Sequence, residues 1–343
     1  MAPQNQDPQS TAVSAAPAAA HTAVKNALAQ EVLHADFEHP ELLGEFPKTT
    51  YPPIPVLPYS DRGLKADPTL ANLLADATIT HLEPKIGSEI SGLQLHELSD
   101  KQKDELALLV AQRGVVFFRD QEIDIDQQLD LGRYYGPLHV HQTVAHAKGR
   151  PEVHVVENSL ATSEQRAQIQ RYAPLNQWHS DVSYERQPPS YTSFKVLTTP
   201  PTGGDTLWAS GYEAYERLTP AFKDFVEGLT AIHSSKHPVV RTHPVTGRKG
   251  LYVNDQFTTR IKQLSAAESD AVLGILLKHI ADGHEFQVRY HWTKNAVAIW
   301  DNRATVHFAT YDYLPGNRHA VRVTPHGEIP YLASELKVDP ISP

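Results

Sequence analysis

Short apolar runs and alternating polar and apolar positions dominate this chain and indicate many β-strands. The clearest buried strand is the run Val115-Val116-Phe117-Phe118. Further strands are predicted at 151–157, 190–197, 249–253, 285–292, 296–300 and 319–324, with a strand, turn and strand across 77–95. The segment that contains His179 and Asp181 is also predicted to be a strand.

Helical spacing of apolar residues occurs in fewer places and is accompanied by capping signals. A helix at 99–113 begins at a Ser or Asp cap and ends at Gly114, and Ser265 with Glu268 forms a capping box for a helix at 265–282. Other helices are predicted at 67–76, at 125–135 and, as a pair, within 211–229. A strand-rich chain with a few helices predicts a mainly β fold, a double-sheet jelly roll with helices packed outside.

Composition divides the chain into three parts. Residues 1–25 are rich in Ala, Pro, Gln and Ser, which predicts a disordered tail. Residues 26–76 are predicted to be an N-terminal arm, since the prolines of 46–62 disfavour both helix and central strand. Residues 77–343 are then one catalytic domain.

Charge and cysteine content exclude several classes of function. The 343 residues carry a net charge of −9 without a basic run, so nucleic acid and anionic membranes are not expected partners. The absence of cysteine excludes disulfides and thiolate metal sites. Because no apolar run reaches about 20 residues and the N-terminus lacks a signal-peptide pattern, we expect a cytoplasmic protein.

The pair His179 and Asp181 is the main candidate for chemistry. In an extended strand these two side chains point to the same face and can converge on one point. An imidazole and a carboxylate, completed by one distant histidine, form the facial triad that holds Fe(II) and leaves positions open for small ligands and O2. The isolated pair is a weak signal, so the third histidine has to be found.

An ordered series of motifs resembles the taurine dioxygenase family of Fe(II)- and α-ketoglutarate-dependent oxygenases, which also contains the 2,4-dichlorophenoxyacetate dioxygenases. The series runs from about residue 77 to the C-terminus and includes GSEISGLQL, RGVVFFRDQ, GPLHVH, WHSDVSY, PPTGGDTLWASGYEAYERL, HEFQVRYHW and AIWDNRATVHFATYDYLPGNRHAVRVT. The resemblance implies a double-stranded β-helix, which is a jelly roll, and a dimer or tetramer.

The resemblance also implies roles for individual residues. His307, in WDNRATVH, matches the distal metal ligand and completes His179 and Asp181. Arg322 matches the arginine that binds the far carboxylate of α-ketoglutarate, Thr206 matches the hydroxyl that assists it, and Arg318 matches a second arginine near the site.

The implied substrate pocket is partly different from that of taurine enzymes. His141 matches the histidine that contacts the sulfonate of taurine, and Phe257 matches an aromatic wall. Val144 and Leu175 stand where taurine enzymes have Tyr and Asn, which makes the pocket less polar. Val182, next to Asp181, is assigned to the same pocket.

These features favour a dioxygenase that hydroxylates an anionic small molecule, with an alkylsulfonate preferred. Hydroxylation at the carbon that bears the sulfonate would give an aldehyde and sulfite, together with succinate and CO2. The alternative is a tailoring oxygenase that acts on a carboxylate, an amino acid or a natural-product intermediate. A binding protein of the same fold without turnover is a third possibility, and the complete ligand set argues against it.

Overall fold

The protein was analysed as a computed structural model, which describes residues 38–46, 55–142, 144–158, 178–313 and 316–333. The predicted tail at 1–25 lies outside the described residues, as does part of the predicted arm.

Helices lie at the positions that the capping signals predicted. Ser99 caps the first helix with a capping box and Gly114 ends it at φ 75°, while Ser265 forms the second capping box with Glu268. Described α-helices are α1 (Asp100–Arg113), α2 (Ile125–Tyr135), α3 (Gly211–Glu216), α4 (Pro220–Val226) and α5 (Ala266–Ala281). Short 3-10 turns occupy Pro40–Leu42, Arg62–Lys65, Leu95–Glu97 and His284–Phe286.

Strands make up most of the described chain. They are β1 (Gly44–Glu45), β2 (Thr78–His81), β3 (Ser88–Ser91), β4 (Val115–Phe118), β5 (His146–Ala147), β6 (Arg150–Asn158), β7 (Tyr191–Thr198), β8 (Thr206–Ser210), β9 (Thr230–His233), β10 (Ser235–Pro238), β11 (Val240–Thr242), β12 (Lys249–Leu251), β13 (Arg260–Ile261), β14 (Gln287–Tyr290), β15 (Val297–Asp301), β16 (Thr305–Ala309) and β17 (Arg318–Val323).

Two sheets face each other and form the body of the molecule. The large sheet has the order β1-β5-β6-β17-β7-β15-β4-β3-β2, and the small sheet has the order β14-β8-β16. All pairs in these two sheets are antiparallel except β3 with β4, which is parallel. The smaller sheets β10-β9-β13 and β11-β12 flank this body.

Aromatic side chains fill the space between the facing sheets. Phe117 of the large sheet stacks on Tyr290 of the small sheet with ring centroids 3.9 Å apart, and Trp300 lies edge-on to Trp208 at 5.7 Å. Interdigitated side chains from two inner faces are the core of a β-sandwich. The predicted jelly roll with flanking helices is therefore confirmed.

Two local predictions were wrong. The helix predicted at 67–76 is a series of turns, because Leu70 has a left-handed φ of 57° that a helix cannot contain. Glu105 of α1 accepts the backbone N–H of Leu73 at 2.6 Å, so a tertiary contact replaces a helical hydrogen bond. The segment of His179 is an isolated bridge and then a turn rather than a strand, and the strand β16 was not predicted.

Candidate active site

Three side chains with metal-binding atoms meet between the two facing sheets. His179, Asp181 and His307 each offer one ligand atom, and these atoms lie within 4.8 Å of one another. The Nε2 atom of each histidine is 3.8 Å from Oδ1 of Asp181. The fold therefore brings together the three ligands that the sequence predicted, in the combination of two imidazoles and one carboxylate that suits Fe(II).

Backbone pairing fixes the two histidines relative to each other. The N–H of His179 donates to the carbonyl of His307 at 3.0 Å, and the N–H of His307 donates back at 2.8 Å. His307 lies on β16, where it pairs with Trp208 of β8. The long-range ligand is thus held by sheet hydrogen bonds and not by a flexible loop.

Asp181 reaches the histidines through a strained turn and not through strand alternation. Val182 follows it with a φ of 52°, a left-handed conformation that β-branched residues rarely adopt. The N–H of Glu185 donates to the carbonyl of Val182 at 3.0 Å and closes this turn. Strain of this kind persists where the surrounding structure holds it and is concentrated at functional sites.

The side-chain amide of Asn302 stabilises the turn through hydrogen bonds. Its Oδ1 accepts the backbone N–H of Asp181 at 3.4 Å, and its Nδ2 donates to the carbonyl of Ser190 at 3.1 Å and to Oγ1 of Thr192 at 2.7 Å. The amide is buried and ties Asp181 to β7.

A buried charge network lies beneath the loop that leads to His307. Arg303 donates two hydrogen bonds to the carboxylate of Asp301, at 2.8 and 2.7 Å, and one to Asp61 at 2.6 Å. The Nε2 atom of His243 lies 2.9 Å from Oδ2 of the same carboxylate. Asp61 belongs to the segment that was predicted to be an N-terminal arm, so this segment contributes a charge to the support of the loop before His307.

The protonation states of the triad suit a divalent cation. Burial acts to raise the pKa of Asp181, but Arg322 and the two histidines outweigh it and hold that pKa well below its usual value. Burial, with His179 nearby, lowers the pKa of His307 to about 3. Among the described residues, Oδ2 of Asp181 and Nδ1 of His307 are buried without a hydrogen-bond partner. An ionised carboxylate beside a neutral imidazole is what metal binding needs, so the residues fit Fe(II).

Arg318 is a buried cation, and the carboxylate of Asp205 acts on it at a distance, through its charge. Arg318 is 2% exposed, takes part in no ion pair within the described ranges, and has an Nε atom without a hydrogen-bond partner there. Its Nη2 lies 3.4 Å from Oγ1 of Thr206, and its guanidinium carbon lies 5.4 Å from the ring centroid of Phe194. The sequence-based expectation paired Thr206 with Arg322, whereas the structure pairs it with Arg318.

Arg322 faces a small cavity beside the triad. Its Nη1 donates to Oδ1 of Asp181 at 2.5 Å, and its Nη2 donates to Nδ1 of His154. The cavity is lined by His139, His141, Pro151, Glu152, His154, Asp181, Val182, Arg322 and Thr324. Burial and the Arg322 charge lower the pKa of His141 to about 4, so this imidazole is neutral at physiological pH.

The structure places the other predicted pocket residues at different distances from the cavity and the triad. Phe257 lies near the candidate ligand His179, with ring centroids 6.4 Å apart, and Val182 lines the cavity. Val144 is partly buried and is not among the residues that line the cavity. Leu175 lies outside the described residues.

Sequence reasoning missed His154 and Asn302. The strand pattern of 151–157 placed His154 on one face of β6, but its pairing with β17 is a long-range contact that local periodicity does not reveal. Asn302 stands five residues before a predicted ligand, in a motif that was already singled out, so its position was a usable signal.

None of the described helices is long and apolar enough to cross a bilayer.

Comparison with known proteins gives consistent results. Residues 78–324 match the model of the taurine catabolism dioxygenase TauD, TfdA family. An alpha-ketoglutarate-dependent sulfonate dioxygenase of Saccharomyces cerevisiae is 41% identical over 314 residues, which cover 83% of this chain and 76% of that protein. The alpha-ketoglutarate-dependent dioxygenase cnsM of Penicillium expansum is 39% identical over 303 residues, which cover 79% and 84%.

Solved structures give the same relationship. The crystal structure of a taurine dioxygenase from Burkholderia xenovorans is similar with a TM-score of 0.66 and 32% identity, and the match covers 74% of this chain and 92% of that one. The family model spans the small sheet, the large sheet except for β1, and all three candidate ligands. The chain therefore belongs to the TauD, TfdA family and is an α-ketoglutarate-dependent dioxygenase.

Proposed function

We propose that this enzyme oxidises an alkylsulfonate at the carbon that bears the sulfur. One oxygen atom of O2 would enter that C–H bond, and the other would enter succinate as α-ketoglutarate loses CO2. The hydroxylated carbon would then expel sulfite and become an aldehyde. Electrons balance, because α-ketoglutarate supplies the two that the hydroxylation requires.

The triad would hold the iron in this reaction. His179 and His307 would bind through Nε2, and Asp181 through the Oδ1 atom that faces both imidazoles. Bound Fe(II), with α-ketoglutarate and O2, supplies an oxidant strong enough to remove hydrogen from an unactivated carbon. The side chains around it hold the geometry and exclude water.

Arg318 would bind the far carboxylate of α-ketoglutarate, with help from Thr206. This reverses the roles first assigned to the two arginines. A buried guanidinium that forms no ion pair with the described residues is costly, and a carboxylate that accepts two parallel N–H bonds offsets that cost. Arg322 does not contact Thr206 and instead faces the cavity that His141 and His154 line.

The observation that carries the substrate class is the cavity shared by Arg322, His141 and Asp181. A cation and a neutral imidazole offer donors to an anionic group, and Arg322 touches the metal ligand directly. An anion bound there lies next to the metal, so the carbon attached to it is the carbon within reach. The sulfonate substrate of the S. cerevisiae relative agrees with this arrangement.

Apolar side chains would complete the pocket. Val182 lines the cavity, and Phe257 lies between His179 and Tyr184, with its ring 5.1 Å from that of Tyr184. These contacts would exclude water from the reacting carbon.

The test is a substrate panel with two independent product assays. Purified protein with Fe(II), ascorbate and α-ketoglutarate would be given alkylsulfonates of increasing chain length, the matched carboxylates and amino acids. We expect sulfite and succinate in equal amounts with a sulfonate and neither product when α-ketoglutarate is omitted. Succinate formation stimulated only by carboxylates or amino acids would overturn the sulfonate proposal and favour the tailoring oxygenase.

A further inference from the structure

His154 is the side chain that faces Arg322 across two paired strands. It lies on β6, directly opposite Arg322 of β17 in the antiparallel register. It also lines the cavity that contains Asp181. It thus belongs to the wall of the substrate pocket, although no motif pointed to it.

The direction of one hydrogen bond fixes the tautomer of His154. A guanidinium has only donors, so the contact between Arg322 Nη2 and His154 Nδ1 requires that Nδ1 be the unprotonated, accepting nitrogen. Burial and the charge of Arg322 also lower the pKa of His154 well below its ordinary value. The ring is therefore neutral, and its proton is on Nε2.

This tautomer has two consequences for the pocket. The Nδ1 atom anchors one arm of Arg322 independently of Asp181, whose Oδ1 is the atom that faces the metal position. The Nε2 atom is a donor on a ring that lines the cavity, and the ring of His141 is 5.5 Å away with its plane tilted by 48°. Donors on differently oriented groups can reach different oxygens of one anion.

The shape of the anion decides whether such donors are useful. A carboxylate has two oxygens in one plane, which a single guanidinium fork satisfies. A sulfonate has three oxygens that point in three directions, so it gains from further donors outside the plane of the fork.

We propose that His154 is a positioning and specificity residue, which holds Arg322 in place and donates Nε2–H to the third oxygen of a tetrahedral anionic group. This inference rests on the proposed function and names a residue that selects a sulfonate over a carboxylate at the same site.

The test compares His154→Leu with His154→Gln. Leucine removes both the acceptor and the donor, whereas glutamine restores an acceptor for Arg322 and a donor for the pocket. His146→Leu is the matched control, because His146 lies on the neighbouring strand β5, pairs with His154 in register and does not line the cavity.

We expect His154→Leu to raise the KM for the sulfonate by about 10- to 100-fold, which is the usual effect of losing one hydrogen bond to a charged group. The KM for a matched carboxylate should rise by clearly less, since Asp181 still holds Arg322 and a carboxylate needs no donor beyond the guanidinium fork. The KM for α-ketoglutarate should change by less than about threefold, since Arg318 binds it. His154→Gln should recover most of the sulfonate affinity, and His146→Leu should behave as wild type.

Different failures have different meanings. If the wild-type enzyme oxidises no sulfonate, the proposed function fails and this inference fails with it. If the wild type oxidises sulfonates and His154→Leu keeps its sulfonate KM, or loses sulfonate and carboxylate equally, only the role of His154 is overturned.

One measurement needs no variant. Nitrogen-15 NMR of histidine-labelled wild-type protein should show His154 protonated at Nε2 and not at Nδ1. A resonance assigned to His154 with a protonated Nδ1 would overturn the inference even if His154→Leu failed to fold.

Discussion

Replacing Arg318 by methionine should abolish tight α-ketoglutarate binding without destabilising the protein. Methionine has a similar length and no charge, so it removes the guanidinium and keeps most of the packing against Phe194. If Arg318 had only a structural role, its replacement would lower the free energy of unfolding and leave α-ketoglutarate binding unchanged, because its hydrogen-bond partners would be left unsatisfied. Arg318 has only Thr206 as a hydrogen-bond partner among the described residues, at 3.4 Å.

The size of the effect follows from the contacts of Arg318. Removing one member of a buried, hydrogen-bonded charge pair costs about 2–5 kcal/mol of binding free energy. A middle value of about 3–4 kcal/mol corresponds to a KM for α-ketoglutarate that rises by about 100- to 1000-fold. The unliganded protein, in contrast, loses a buried cation that forms no ion pair with a described residue, so its free energy of unfolding should stay the same or increase.

The assay measures succinate release against α-ketoglutarate concentration at saturating sulfonate, and urea unfolding of the metal-free protein. Arg322→Met is the matched control, since it removes the same group four residues away on the same strand. It should raise the KM for the sulfonate and change the KM for α-ketoglutarate by only a few-fold. The assignment of the two arginines would be refuted if Arg322→Met had the larger effect on α-ketoglutarate, or if Arg318→Met unfolded at markedly lower urea.

Three further changes test the metal site and its support. Asp181→Ala should abolish α-ketoglutarate decarboxylation, measured as succinate or CO2 release, and undiminished turnover would contradict the ligand assignment. Asn302→Ala should weaken Fe(II) binding by about 10- to 100-fold, measured by metal titration of activity, because the amide orients a ligand-bearing turn; an unchanged metal requirement would show that the turn holds without it. Asp61→Asn should lower the free energy of unfolding by about 3 kcal/mol in urea at neutral pH, whereas the exposed Asp76→Asn should have no effect. Burial acts to raise the pKa of Asp61, but the ion pair with Arg303 outweighs burial, so the pKa lies below its ordinary value. The stabilisation by Asp61 should therefore be present above about pH 4 and be lost as the pH falls below that value. A stability difference between Asp61→Asn and Asp76→Asn that did not shrink in acid would contradict this.

Local signals predicted the elements of the fold well, since capping residues and apolar periodicity act over a few residues. Ser99, Gly114 and Ser265 mark the helix ends that the structure shows. The prediction failed around Leu70, which has a positive φ, because Glu105 accepts hydrogen bonds from Asn72 and from the backbone N–H of Leu73 in place of helical hydrogen bonds. It failed again at Asp181, which reaches the metal position through a turn with Val182 at positive φ.

The ligands were predictable and their surroundings were not. His179, Asp181 and His307 carry a recognisable spacing and motif context. The role of His154 depends on the register between β6 and β17. The paired residues of these strands are 160 to 168 positions apart in the sequence and meet only in the folded chain. The two arginines were both identified, but their roles depend on which one contacts Thr206, and this is a property of packing and not of sequence distance.

The position of both arginines on β17 explains how one fold can keep its cosubstrate while its substrate changes. Arg318 and Arg322 are four residues apart, about 13 Å along a strand, and Ala320 between them packs in the core beside Phe194 and Trp208. Arg318 is buried between the two facing sheets and does not line the cavity that Arg322 faces. Arg322 instead faces a cavity whose wall comes partly from β6 and the segment around His141. Substitutions in that wall can reshape the substrate pocket without moving the α-ketoglutarate site, so substrate preference is expected to follow residues such as His154 more closely than the metal ligands.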